Sequence, residues 1–249
     1  MYYKYHDLDI YYETYKNGLN NIIFLHGWGT NQNTFIKQVD YLKENNNLYL
    51  MDFPGFGLSS EVETDFNLET YVDLLRSFII DLNINNPIII AHSFGGRVLI
   101  KYLVNNDIKA AIFISSAGIK HFKLNKLFKI TKYKLKKKYY KLTKNYLKYN
   151  LLIKNSGSND YINLTEKMKI VMNKIIKINL KKHLNKIKCK TLLIWGKYDN
   201  DTPIKDAFIF KNKIKNSYLY LLNGSHFIHL EKFNEVNELI NNFIIDLDE

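Results

Sequence analysis

Residues 87–104 constrain most strongly what this chain can fold into. The run Pro87-Ile-Ile-Ile-Ala91 is uninterrupted in its apolar character, and it passes through His92-Ser93-Phe94 into Gly95–Val104, a helical pattern. A strand that is apolar on both sides needs cover on both sides, which is the condition of a parallel sheet clothed by helices. The same alternation continues in both directions. Strand patterns stand at Tyr2–Tyr5, Ile10–Tyr15, Ile22–Leu25, Leu48–Met51, Ala110–Ile114, Thr191–Trp195 and Tyr218–Leu222. Between and after them, apolar residues at helical spacing mark Asn31–Glu44, Leu68–Leu82, Ile204–Ile214 and Glu235–Ile245. The expected class is α/β, a mainly parallel sheet with helices on both faces.

The alternation stops after Gly118 and returns at Lys190. Between them Leu124, Leu127 and Phe128, and later Met168, Val171, Met172, Ile175 and Ile176, recur at three-to-four spacing, with a break expected at Asn155–Asp160. Residues 119–189 therefore read as a helical insertion over one edge of the sheet, leaving 1–118 and 190–249 as the core. Charge separates the same two parts. Between Ile119 and Lys190 stand 22 lysines and no arginine against Asp160 and Glu166, whereas the rest of the chain is net −8 within a total of +12. A solvated lysine-rich helical face is the plain reading of that block. Transient contact with anionic lipid at a membrane surface, or attraction of an acidic substrate, is the sharper one. No nucleic-acid module accompanies the charge, so nucleic acid is not an expected partner.

No apolar stretch is long enough to span a bilayer, and Met1–Asp9 lack the apolar run of a secretory signal. The single Cys189 excludes an intrachain disulfide and a cysteine-rich metal site. The expected compartment is the cytoplasm.

Four short motifs carry chemistry. Ala91-His92-Ser93-Phe94-Gly95-Gly96 lies where a strand turns sharply into a helix, a placement that lifts a serine oxygen clear of the sheet. His26-Gly27-Trp28-Gly29 follows the strand Ile22–Leu25 and can aim the Trp28 backbone N–H at a developing oxyanion, with the Phe94 N–H as second donor. Trp28 and Phe94 would also line the substrate pocket. Asp199 stands just beyond the strand Thr191–Trp195, and His226 just beyond Tyr218–Leu222. Active sites of open α/β sheets gather at those strand ends. Serine is a poor nucleophile without a base, imidazole titrates near neutrality, and a carboxylate fixes the imidazole tautomer. Ser93, Asp199 and His226 in that chain order are the expected catalytic residues.

These motifs resemble the α/β-hydrolase fold superfamily, in particular its compact bacterial esterases and carbon–carbon hydrolases. Asp52-Phe53-Pro54-Gly55-Phe56-Gly57-Leu58-Ser59 and Gly224-Ser225-His226-Phe227 add to the likeness, which covers about residues 8–118 and 190–246. Ala91 departs from it, standing where the commonest form has glycine. The resemblance implies an eight-stranded, mostly parallel sheet, a helical cap inserted after the sixth strand, and no cofactor. Asp199 fits the family spacing of Gly196-x-x-Asp199-x-x-x-Pro203 better than Asp201 does. His229, next to Glu231 and offset from the glycine, reads as structural, and His26 and Asp52 read as loop braces. His92 faces away from Ser93 and reads as packing. Ser115 and Ser116 support the site, Cys189 is an unactivated buried thiol, and Arg97 anchors the helix after Ser93.

The activity this implies is hydrolysis of a carboxylic ester or thioester with a small or medium apolar acyl group, through an acyl-enzyme. A small-molecule ester is the expected partner. Rival readings on the same triad are a carbon–carbon bond hydrolase, a lysophospholipase, an aminopeptidase and a perhydrolase. Aspartyl-nucleophile relatives, the epoxide hydrolases and haloalkane dehalogenases, are excluded by Ser93. From other classes come a non-catalytic binding protein of the same fold and a basic peripheral protein that binds membrane or RNA.

Overall fold

A computed structural model of the protein describes residues 1–120, 135–136, 138–143, 146, 148 and 164–247. The expected helical positions Leu124, Leu127 and Phe128 and the break at Asn155–Asp160 lie outside the described residues. The strands are β1 (Tyr2–Tyr5), β2 (Leu8–Lys16), β3 (Asn20–Leu25), β4 (Asn46–Met51), β5 (Ile88–His92), β6 (Ala110–Ile114), β7 (Lys190–Gly196) and β8 (Ser217–Leu222). Among the described residues, the helices of eight residues or more, with two shorter ones that matter here, are α1 (Ile36–Leu42), α2 (Leu68–Asp81), α3 (Phe94–Tyr102), α4 (Glu166–Ile175), α5 (Ile204–Lys213), α6 (Ile228–Glu231) and α7 (Phe233–Ile245).

All eight strands join one sheet in the order β1-β2-β4-β3-β5-β6-β7-β8. β2 runs antiparallel to both β1 and β4, and every other neighbouring pair is parallel. The order reverses at β3: the chain leaves it for β4 on one side and returns to β5 on the other. Strand ends at such a switch point diverge and leave a crevice. The residues after β3 are His26-Gly27-Trp28, and the residue after β5 is Ser93.

The unbroken apolar runs are explained by cover on both faces. Ile23, Leu25, Ile89, Ala91, Phe113, Leu193 and Trp195 join one buried cluster with α2, α3, α4 and α5. Their neighbours Ile22, Phe24, Ile88, Ile90, Ile112, Leu192 and Ile194 join a second with α1 and α7. The alternation follows the two-residue period of a strand.

The helix expected over Asn31–Glu44 is a 3-10 turn, Gln32–Phe35, leading into α1. The Asn31 side chain caps that turn by accepting from the Asn33 N–H. The α4 segment is fastened to the core by an ion pair between Lys167 and Glu63 at 2.6 Å and by Lys174 Nζ donating to the Thr64 carbonyl at 2.6 Å. Among the described residues, no helix is long and apolar enough to cross a membrane.

Candidate active site

Ser93 is the hinge between β5 and α3 and has φ 47° and ψ −108°, a left-handed backbone that costs a non-glycine residue about 1–3 kcal/mol. Its surroundings hold it there. The Ser93 N–H donates to the Ile114 carbonyl at 3.2 Å, and its own carbonyl accepts from Ala117 at 2.9 Å and Gly96 at 3.1 Å. α3 passes so close to β3 that a Cβ on Gly95 would be driven into the Leu25 carbonyl oxygen. Ala91 lies in the strand with no exposure, so its methyl group fits where a glycine is commoner.

The hinge raises Ser93 Oγ to 2.9 Å from His226 Nε2, and His226 Nδ1 lies 2.8 Å from Asp199 Oδ2. Asp199 is buried behind the imidazole. Its Oδ1 accepts from the Asp201 and Thr202 N–H groups, each at 2.8 Å, and its Oδ2 accepts also from Thr202 Oγ1 at 2.6 Å. Burial alone would raise the Asp199 pKa, but the His226 contact and the Thr202 hydrogen bonds outweigh it and hold the carboxyl below its ordinary value. A hydroxyl, an imidazole and an ionised carboxylate therefore form one continuous chain. Such a chain can pass the hydroxyl proton to the imidazole while the carboxylate holds Nδ1–H.

Asp199, Asp201 and His226 are also close enough together to suggest a cation site. The hydrogen bonds argue against one. A carboxylate has about four acceptor directions, and those of Asp199 serve Asp201 N–H, two Thr202 donors and His226. A metal there would have to displace the imidazole partner.

Phe94 opens α3, so its N–H has no partner within the helix. Trp28 stands in the turn after β3, and its ring meets those of Phe94 at 4.9 Å and Phe56 at 5.0 Å, edge to face. Phe94 packs in turn on Phe53 at 5.3 Å and Tyr71 at 5.1 Å. The side chains of the two expected oxyanion donors are thus locked in one aromatic cluster. A cavity of about 200 Å³ opens beside Ser93, lined by Trp28, Phe94, Arg97, Ala117, Met172, Ile175, Ile176, Asp201 and Thr202.

The residues set aside as structural are found in such places. His26 Nδ1–H donates to the Gly27 carbonyl at 2.7 Å, and its Nε2 accepts from the Phe53 N–H at 2.8 Å. Burial lowers its pKa to about 4, against smaller opposing effects of Gly27 and Asp52, so it is a neutral brace. Asp52 braces the loop by accepting from Gln32 at 2.8 Å and Leu58 at 2.9 Å. His229 is buried against Thr34 Oγ1 at 3.1 Å, with its pKa pushed down to about 3 chiefly by burial. Burial pushes the Cys189 thiol up to about 11, away from reactivity. Arg97 is buried, and its Nη1 donates to the Ile178 carbonyl at 2.9 Å, tying α3 to the chain after α4. Ser115 and Ser116 are buried at the end of β6, and the Ser115 carbonyl oxygen lies 3.0 Å from Thr202 Oγ1.

Two features escaped the sequence. Thr202 bridges Asp199 and Ser115, and its only signal is a hydroxyl three residues after Asp199. Met172, Ile175 and Ile176 read as helix positions, but nothing local assigns them to a pocket wall.

The family model for the alpha/beta hydrolase fold matches residues 20–148. A Mycoplasma genitalium protein provisionally named esterase/lipase 2 is 28% identical over 202 residues, 80% of this chain and 69% of that protein. YisY, a Bacillus subtilis protein of the AB hydrolase superfamily, is 25% identical over 253 residues, 89% of this chain and 90% of its own. The solved structure of an esterase from Exiguobacterium antarcticum superposes with a TM-score of 0.76 at 20% identity, covering 95% of this chain and 96% of that one, a likeness of fold. With its eight-stranded sheet, its crevice at the β3/β5 switch point and a family match over half its length, this chain belongs to the α/β-hydrolase fold family and is a hydrolase.

Proposed function

We propose that the protein is a serine esterase that cleaves carboxylic esters or thioesters of small or medium apolar acyl groups through an acyl-enzyme. The observation that carries this reading is the relay from Ser93 Oγ through His226 to the buried Asp199, with contacts of 2.9 Å and 2.8 Å. Ser93 Oγ attacks the carbonyl carbon while His226 Nε2 takes its proton. The backbone N–H groups of Trp28 and Phe94 receive the oxyanion. His226 then returns the proton to the departing alcohol or thiol, leaving the acyl group on Ser93. In the second half, His226 takes a proton from water, the hydroxide adds to the acyl carbon, and Ser93 leaves with the proton. Asp199 keeps Nδ1–H in place and stabilises the imidazolium in both halves.

Residues 119–189 are read as a cap over this site, whose returning part supplies Met172, Ile175 and Ile176 to the cavity wall. An engineered cavity of about 150 Å³ accepts benzene, which sets the scale for the apolar space beside Ser93. A panel of p-nitrophenyl esters from acetate to laurate tests the reading. Expected are an optimum in kcat/KM at acyl chains of about four to eight carbons and loss of turnover in Ser93→Ala. Equal turnover by Ser93→Ala would overturn the reading.

A further inference from the structure

We infer that His92 is a positioning residue for the reaction, holding the backbone of His226 while its neighbour Ser93 meets the ring. The inference rests on the reading of Ser93 and His226 as nucleophile and base. His92 is the last residue of β5 and is 1% exposed. Its Nε2 lies 3.1 Å from the His226 carbonyl oxygen. A carbonyl can only accept, so this nitrogen carries the hydrogen, and in a neutral ring Nδ1 carries the lone pair.

Two successive residues thereby grip the two ends of residue 226. Ser93 Oγ faces the Nε2 of its ring at 2.9 Å, and His92 donates to its main-chain carbonyl. The His92 ring also packs on those of His226 at 4.8 Å, Phe227 at 5.3 Å and His229 at 4.5 Å. On its other side a Cβ on Gly27 would lie 2.8 Å from Nδ1. His92 therefore touches the turn that bears the Trp28 amide and the loop that bears His226, and it adjoins the nucleophile in sequence.

That loop needs such a hold. His226 lies between β8 and the four-residue α6, outside regular structure. On the far side Glu231 accepts from both the N–H and the hydroxyl of Ser225. On the near side the anchor is His92. Buried Nδ1 has no hydrogen-bond partner among the described residues. A charged His92 would place an unpaired donor in that space, so burial together with the nearby His229 and His226 holds its pKa well below the ordinary value. The ring stays a neutral, one-directional donor throughout turnover.

The test compares His92→Phe, which keeps the ring and removes the donor, with His92→Gln, whose amide N–H reaches the same carbonyl. His92→Met serves as a second donorless variant if the phenylalanine fails to fold. Without the donor, kcat on a short p-nitrophenyl ester and the rate of fluorophosphonate labelling are expected to fall together, roughly ten- to a hundredfold, with KM little changed. His92→Gln is expected to recover most of both. Wild-type kcat in a folded donorless variant, or a glutamine variant as slow as the donorless ones, would overturn the inference. A wild-type protein that takes no label at Ser93 would instead overturn the reading on which it rests.

Discussion

Thr202 shows what a single side chain contributes to this site. Its hydroxyl donates to Asp199 Oδ2 at 2.6 Å, its N–H donates to Oδ1 at 2.8 Å, and Oγ1 lies 3.0 Å from the Ser115 carbonyl. Removing the hydroxyl while keeping the shape leaves a buried carboxylate short of a charge-assisted hydrogen bond. Thr202→Val is therefore expected to destabilise the protein by about 1–3 kcal/mol and to lower kcat roughly tenfold, with Thr202→Ser recovering both. Urea unfolding and ester turnover check it; a valine variant with wild-type values would contradict it. That Ser93, Asp199 and His226 come together was legible in the sequence, because each follows a strong strand pattern and their chain order is distinctive. Thr202 was not, because a threonine in a polar loop has no meaning until the fold brings a carboxylate and the end of β6 beside it.

At the scale of elements, the site depends on how closely α3 approaches β3. Gly95 leaves no room for a methyl group against the Leu25 carbonyl. Gly95→Ala must push α3 outward, with a cost of about 1–3 kcal/mol or more, and must carry Ser93 and the Phe94 N–H with it. We expect a lower urea midpoint and a loss of kcat larger than the loss of stability alone explains; a fully active, wild-type-stable alanine variant would show the approach to be slack. Strands of the sheet were legible to within a residue or two: the central ones, β3 and β5 to β7, are nearly continuous apolar runs because they are buried on both faces. α6 was not, because Ile228–Glu231 is little more than one turn, far shorter than the window of about eleven residues or more over which helical periodicity is recognised. The 3-10 turn before α1 was hidden because Gln32–Phe35 runs directly into Ile36: Asn31 caps the start of the turn, and no side-chain cap marks where α1 begins.

For the whole molecule, protons and charge are distributed unevenly. His26, His92 and His229 are buried and neutral, with lowered pKa values of about 4 for His26 and about 3 for His229. In the unfolded chain each takes a proton near pH 6.5. Their contribution to stability is therefore complete above about 6.5 and is lost as pH falls towards the folded values. Each contributes a slope of about 1.4 kcal/mol per pH unit in that window. Asp199, whose folded value is also depressed, adds a loss only below about pH 4. The urea midpoint is expected to drop between pH 6.5 and 4.5, before carboxylates titrate, and a flat midpoint there would contradict the buried-neutral assignment. The charge of the basic segment at 119–189 was legible in its composition, but that Met172, Ile175 and Ile176 line the cavity beside Ser93 was not, because composition does not encode which helix face meets the site. The proposed activation of Ser93 by His226 and Asp199 is tested most directly by mapping a fluorophosphonate adduct on the intact protein. A single adduct is expected on Ser93, absent in Ser93→Ala and formed at least roughly a hundredfold more slowly in His226→Ala. An adduct on another residue, or one on Ser93 that forms as fast without the imidazole, would contradict it.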